Sequence, residues 1–254
     1  MKLRILGCSG GIGGDLRTTS MILDDDVLID AGTGVGDLSV SELALIDHVF
    51  ITHSHLDHVT SLPFLLDTVS SFRDRPVTLH ATRPTLDAIR QHVFNWKIWP
   101  DFSVIPDAKN PALRYRAIEV GETVDLGGRR ITAVPAHHVV PAVGFRLDSG
   151  AASLVYTGDT TSNNAFWPVV NAIENLRYLI IETALSDSER DLAVVSKHLC
   201  PSLLAEELRK LALAPEIYIS HLKPREAEVI MDEIATHVTE RRPQMLLNNQ
   251  VFEF

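Results

Sequence analysis

The chain has 254 residues, with 23 Lys and Arg against 33 Asp and Glu, so its formal charge is −10. A hydrophobic content of 45% suits a globular protein with a sizeable core and excludes a disordered chain. The acidic balance argues against a broad nucleic-acid surface, which needs clustered Lys and Arg, and no stretch approaches the roughly 18 apolar residues of a membrane span.

The first predicted element is the run Lys2 to Leu6, too short for a signal peptide and read as a β-strand. Short apolar runs bounded by Gly, Asp or Pro predict further strands at Ser20 to Leu23, Val27 to Ile29, His48 to Thr52 and Val77 to His80. Later ones are Glu122 to Asp125, Arg130 to Pro135, Gly144 to Leu147, Ser153 to Thr157, Tyr178 to Glu182 and Glu216 to Ser220. Helical periodicity appears at Pro84 to Phe94, Pro201 to Leu213 and Arg225 to His237, where Pro84, Pro201 and Pro224 suit helix starts. The stretch Pro100 to Pro111 reads as an excursion within one domain spanning 1–254, because candidate site residues lie on both sides. Strands with short turns, then mixed strand and helix, predict an α/β chain with two sheets packed together and helices outside.

Two glycine-rich stretches, Gly7 to Gly14 and Gly32 to Gly36, match no dinucleotide or phosphate-loop spacing. They read as loops needing positive φ or close backbone approach. Cys8 and Cys200 form no C-x-x-C pair, so a cysteine zinc site is excluded. They are expected to be reduced thiols of a cytoplasmic protein.

Four of the eleven histidines fall between positions 48 and 58. The motif His53-Ser-His55-Leu-Asp57-His58 follows a predicted strand. Residues two apart in an extended segment project to one side, so His53 and His55 can converge on one ion. Asp57 and His58 follow where the chain should turn into a helix, which can aim them at a second ion. Imidazole with carboxylate suits zinc, manganese or iron. Three further candidates sit at strand ends: the pair His137-His138, Asp159 beside Gly158, and His221. A carboxylate such as Asp159 can bridge two ions.

The segments THSHLDHV, YTGDT and SHLKP resemble the metallo-β-lactamase superfamily of metallohydrolases. That resemblance implies an αββα sandwich of two mixed β-sheets with outer helices and a binuclear site between the sheet edges. More narrowly, THSHLDHVTSLP, HVFNWKIWPDFS, SKHLCPSLLAEELRKL and YISHLKP resemble class II 3′,5′-cyclic-nucleotide phosphodiesterases. The resemblance makes His53, His55 and one of His137 and His138 ligands of one metal. Asp57, His58 and His221 would hold the other, with Asp159 bridging. The spacing to Gly144-Phe145 points to His138, and His137 stays open as the alternative. Asp30 matches a residue that orients a ligand imidazole. The chain departs from the class at Ser196-Lys-His-Leu-Cys-Pro201, where relatives often carry Gly and Thr, and at Leu62 to Asp67. These departures weaken any statement of base preference.

The expected reaction is hydrolysis of 3′,5′-cyclic AMP or GMP to the 5′-monophosphate. Two divalent ions per chain, zinc first, would hold a water and lower its pKa toward ~7. His198 is the candidate proton donor for the 3′ leaving group and Glu182 its orienting partner. With Asp57 they form the candidate catalytic set. Asn95 and Trp96, near Phe94 and Trp99, offer an amide and a stacking face for a base, although that spacing equally suits core packing or a dimer contact. Thr160 and Asn163 are candidate phosphate contacts, while Arg17, Lys197, Lys223 and Arg225 receive no role. A homodimer is compatible with the resemblance alone. Rival readings are a transfer-RNA 3′-processing nuclease, a hydrolase of another small cyclic phosphate, and a non-catalytic metal-bound ligand sensor.

Overall fold

The computed structural model describes residues 1–254. Two seven-stranded sheets face each other. The first contains β1 (Lys2–Gly7), β2 (Ser20–Leu23), β3 (Val27–Ala31), β4 (His48–Phe50), β5 (Val77–Ala81) and β6 (Leu113–Ala117), in that spatial order. A short last strand, numbered β14 (Val251–Glu253), closes it outside β1. The second contains β7 (Thr123–Leu126), β8 (Arg129–Pro135), β9 (Val143–Asp148), β10 (Ser153–Tyr156), β11 (Leu176–Glu182), β12 (Glu216–Ser220) and β13 (Gln244–Met245), again in sequence order. Both are mixed. The pairs β3–β4, β4–β5 and β5–β6 are parallel, as are β10–β11, β11–β12 and β12–β13.

Central strands such as β2, β3 and β10 read as continuous apolar runs because both of their faces are buried. In β3, Val27 and Ile29 enter the core between the sheets, while Leu28 faces the helices. In β10, Leu154 and Tyr156 turn inward and Val155 outward. The outer face of the first sheet is covered by α1 (Val40–Leu43), α3 (Leu62–Val69) and α4 (Arg83–His92). A shorter helix, α2 (Leu56–Val59), lies between α1 and α3 in the chain. The second sheet is covered by α5 (Phe166–Asn171), α7 (Pro201–Leu208) and α8 (Ala227–His237), with α6 (Arg190–Ser196) leading into α7. The layers are thus helix, sheet, sheet, helix, the expected αββα sandwich.

The structure adds β6, β13, β14, α1, α3, α5 and α6, which the sequence reading did not predict, and it shifts several element ends. β4 stops at Phe50 rather than Thr52, so irregular chain leads into His53 and His55. Helix α7 stops at Leu208, short of Leu213, and α8 starts at Ala227, two residues after Arg225. No helix is long and apolar enough to cross a membrane. Cys8 and Cys200 are free thiols.

Parallel pairing has one consequence for function. It aligns the carboxyl ends of β3 with β4 and of β10 with β11 and β12. In mixed α/β sheets that is where loops gather chemistry-bearing side chains. Asp30, the segment 53–58, Asp159, Glu182 and His221 all lie at or just beyond those ends.

Candidate metal centre

Two groups of side chains converge there. His53, His55, His138 and Asp159 form one, and Asp57, His58, Asp159 and His221 the other. Within each group the candidate ligand atoms lie within 4.8 Å of one another, and Asp159 belongs to both. Its Oδ2 is 3.6 Å from His53 Nε2, and its Oδ1 is 3.4 Å from His58 Nε2 and 3.3 Å from His221 Nδ1. Asp57 Oδ2 is 3.7 Å from both His58 Nε2 and His221 Nε2. His138 Nε2 faces His55 Nδ1 at 3.2 Å.

Local structure explains the convergence. Helix α2 begins at Leu56 directly after His55, which turns Asp57 and His58 back toward the sheet edge. Gly158 adopts φ +62, a left-handed turn that lets Asp159 follow β10 at once. Gly10 packs against His221, where a Cβ would meet the His221 carbonyl oxygen at 2.5 Å and its ring at 3.0 Å. The glycine-rich start of the chain is therefore a close-approach loop.

A buried polar atom without a partner costs about 1–3 kcal/mol. His53 Nε2, His58 Nε2, Asp159 Oδ1 and His221 Nδ1 are all buried and without a hydrogen-bond partner. All four belong to the two groups and point at one another. An imidazole and carboxylate donor set left unsatisfied in this way fits divalent cations.

Three of the outer nitrogens are engaged. His58 Nδ1 bonds Asp30 Oδ2 at 2.8 Å, so Nε2 carries the free lone pair. Thr52 Oγ1 is 3.0 Å from His53 Nδ1, and His138 Nδ1 donates to the Lys197 carbonyl at 3.1 Å. Asp30 is fully buried and also accepts from Thr52 N at 2.8 Å and Tyr156 Oη at 3.3 Å.

Electrostatics favour the ligand forms. Burial holds His53 well below the ordinary imidazole range, pushes His138 down to about 4 and pushes His221 down to about 3. Burial opposes ionisation of Asp159, but His221 and His58 outweigh it and keep the carboxyl well below its usual range. His58 is the exception. Burial disfavours its charge, yet Asp159 and Asp30 raise its pKa well above 6.5. A cation placed there would take over the role of that proton.

Beside the centre, fully buried Glu182 accepts from His198 Nδ1 at 2.8 Å and from Thr160 N at 3.0 Å. Burial pushes the Glu182 carboxyl up. Burial alone would lower His198, but the Glu182 carboxylate outweighs it and raises the imidazole. The His198 ring lies 4.9 Å from that of His138 and 5.2 Å from that of His221, between the two groups.

Other sequence candidates are placed differently. His137 is exposed, with Nδ1 on the Ser162 carbonyl, and lies outside both groups. Asn95 caps its own loop, its Oδ1 accepting from Lys97 N and Ile98 N. Trp96 is exposed, while Phe94 and Trp99 pack with the core. No hydrogen bond or ring contact joins Asn95 or Trp96 to the cluster residues. The Thr160 hydroxyl accepts from His137 N and donates to the Thr161 carbonyl. Asn163 Nδ2 donates to the Pro135 carbonyl, and its Oδ1 accepts from Ala165 N. These bonds hold the loop after Asp159. Sequence reading missed Thr52, Tyr156 and Lys197; a Thr directly before the His motif was the one local signal.

A model described as "Beta-lactamase superfamily domain" matches residues 25–239. The chain is 27% identical over 203 residues to a "Probable 3′,5′-cyclic-nucleotide phosphodiesterase" of Yersinia pestis, covering 70% of this chain and 57% of that protein. It is 31% identical over 156 residues to "Ribonuclease Z" of Haloarcula marismortui, covering 58% and 47%. The chain thus spans about half the length of these relatives. The metallo-β-lactamase fold protein YhfI from Bacillus subtilis superposes with a TM-score of 0.79 at 18% identity, over 99% of both chains. The chain belongs to the β-lactamase superfamily of metal-dependent hydrolases, with the metallo-β-lactamase fold.

Proposed function

We propose that this protein is a phosphodiesterase that hydrolyses 3′,5′-cyclic nucleotides to 5′-monophosphates, using two divalent ions with zinc the first choice. The observation that carries the reading is the pair of donor groups sharing Asp159, with four buried unpartnered ligand atoms, set against the Glu182–His198 pair. His53, His55, His138 and Asp159 would hold one ion and Asp57, His58, Asp159 and His221 the other. Two ions in such a site supply Lewis acidity toward phosphate oxygens and toward water.

The chain's own groups do the rest. Asp30 and Thr52 hold His58 and His53 in one orientation, so the donors need no reorganisation when charge develops. Glu182 fixes His198 through Nδ1, which leaves Nε2 to donate a proton to the departing 3′ oxygen. Asp57, partly exposed, would serve both as a ligand and as the carboxylate that takes the proton of the attacking water. The similarity to the Yersinia protein supports the substrate class. The similarity to Ribonuclease Z supports a second reading, RNA 3′ processing, against which the charge of −10 weighs.

The test is hydrolysis of 3′,5′-cyclic AMP by metal-free protein reloaded with Zn²⁺ or Mn²⁺, beside Asp159→Ala and a precursor tRNA. Metal-dependent release of 5′-AMP, lost in the variant, is the expected result. Cleavage of the RNA alone would replace this reading with the nuclease.

A further inference from the structure

Lys197 ends α6 in the left-handed conformation, at φ 55 and ψ 48. Helices often stop in that conformation, and glycine fills it because a Cβ is unfavourable there. A lysine at this position therefore calls for a reason in its side chain. Its Nζ donates to the main-chain carbonyl of His138 at 3.1 Å. Its own carbonyl accepts from His138 Nδ1, also at 3.1 Å. The two bonds join residues 59 positions apart, one in the irregular chain after β8 and one at the end of α6. No helix or strand covers residues 136–142, so nothing regular fixes His138 from its own side. The next residue, His198, carries the bond to Glu182, and its ring lies 4.9 Å from that of His138.

We propose that Lys197 is a positioning residue, a two-way clamp that holds His138 Nε2 in the first donor group and sets its spacing from His198. The proposal rests on the metal centre proposed above. The carbonyl pins the proton of His138 on Nδ1 and so frees the Nε2 lone pair. The ammonium pins the His138 main chain, so the loop cannot draw the ring away. The left-handed backbone is what brings both groups of one residue to face the same partner.

The test titrates metal-free wild type, Lys197→Gly, Lys197→Met and Lys197→Arg with Zn²⁺ against a competing chelator, and records thermal unfolding of each metal-free protein. Glycine accepts the left-handed backbone, so metal-free Lys197→Gly is expected to unfold at or near the wild-type temperature. One of its two Zn²⁺ sites nevertheless loses roughly 10-fold in affinity, the low end of what outer partners of a metal ligand contribute, because the imidazole keeps its carbonyl partner and only the main-chain anchor is lost. Lys197→Met loses as much. Lys197→Arg, which keeps a donor for the carbonyl, recovers most of the loss. Gly and Met variants that bind both equivalents as tightly as wild type would overturn the clamp, as would a loss that Arg fails to restore. A wild type that takes up no Zn²⁺ would instead overturn the metal centre itself, so the two failures are distinguishable without any turnover assay.

Discussion

Asp30 concentrates several constraints on one buried carboxylate. It accepts from Thr52 N, Thr52 Oγ1, His58 Nδ1 and Tyr156 Oη, and adopts φ 54 to do so. Asp30→Ala would leave those donors buried and unpaired. Removing one member of a buried charged network costs about 3–5 kcal/mol, so urea unfolding should show a loss of that order. Zinc affinity should fall roughly 10- to 100-fold with it. A loss below about 1 kcal/mol would mean that water replaces the carboxylate. The second residue-scale prediction concerns pH. As a proton donor, His198 must be protonated, and the Glu182 carboxylate raises its pKa. Activity should therefore fall as pH rises through that raised value. Glu182→Gln removes the cause, so the alkaline fall in kcat should begin at lower pH. A kcat profile whose alkaline limb stays put in the variant would remove His198 from the donor role. At this scale the His motif was legible because four donors lie within six residues of chain. Thr52, Tyr156 and Lys197 were not, because each acts only through partners brought in by the fold.

Elements show the same division between local and distant information. Strands buried on both faces announced themselves as apolar runs. β6 did not: its sequence Leu-Arg-Tyr-Arg-Ala alternates, and only Leu113 is buried. β13 and β14 have two and three residues, and partners far away in sequence define them. Helices α1, α5 and α6 have four to seven residues, too few for a 3.6-residue period to register. How elements are joined is visible at Asp148, the end of β9. Its carboxylate accepts from Arg130 of β8 at 2.7 Å and Arg146 of β9 at 2.9 Å. It also accepts from Gly150 N and from Asn175, just before β11. Burial would raise its pKa, but the Gly150 and Asn175 hydrogen bonds with the two arginines outweigh that and lower it to about 2. A depressed carboxyl stabilises the fold above its unfolded pKa and loses that contribution as pH falls through the folded value. The window here runs from about pH 4 down to about pH 2. Asp148→Asn should cost about 1–2 kcal/mol at neutral pH. Its stability should fall less steeply than wild type across that window. Parallel curves for the two proteins in urea titrations at stepped pH would count against it.

At the scale of the whole molecule, the centre sits where the sheets meet. His53, His55, Asp57 and His58 follow a strand of the first sheet, whereas His138, Asp159 and His221 follow strands of the second. The layered architecture was legible from strand order and turn spacing. That these donors share one edge depends on the parallel registers of β3 with β4 and of β10 with β11 and β12, which no local pattern encodes. Any cation bound there ties one sheet to the other and exists only in the folded state. Such binding stabilises by about 4 kcal/mol for each ion present at a free concentration ~1,000-fold above its Kd. A chain of this size shifts its Tm by roughly 2–4 °C per kcal/mol, so chelation should lower the Tm by on the order of 10 °C or more. Asp159→Ala removes the one residue common to both groups. It should therefore unfold near the chelated wild-type temperature, and chelator should move it no further. Restoring Zn²⁺ should raise the wild type alone. A wild-type Tm indifferent to chelator would mean that the buried unpaired nitrogens of His53, His58 and His221 are carried without an ion, and the centre would then have to be read as a protein-only polar network.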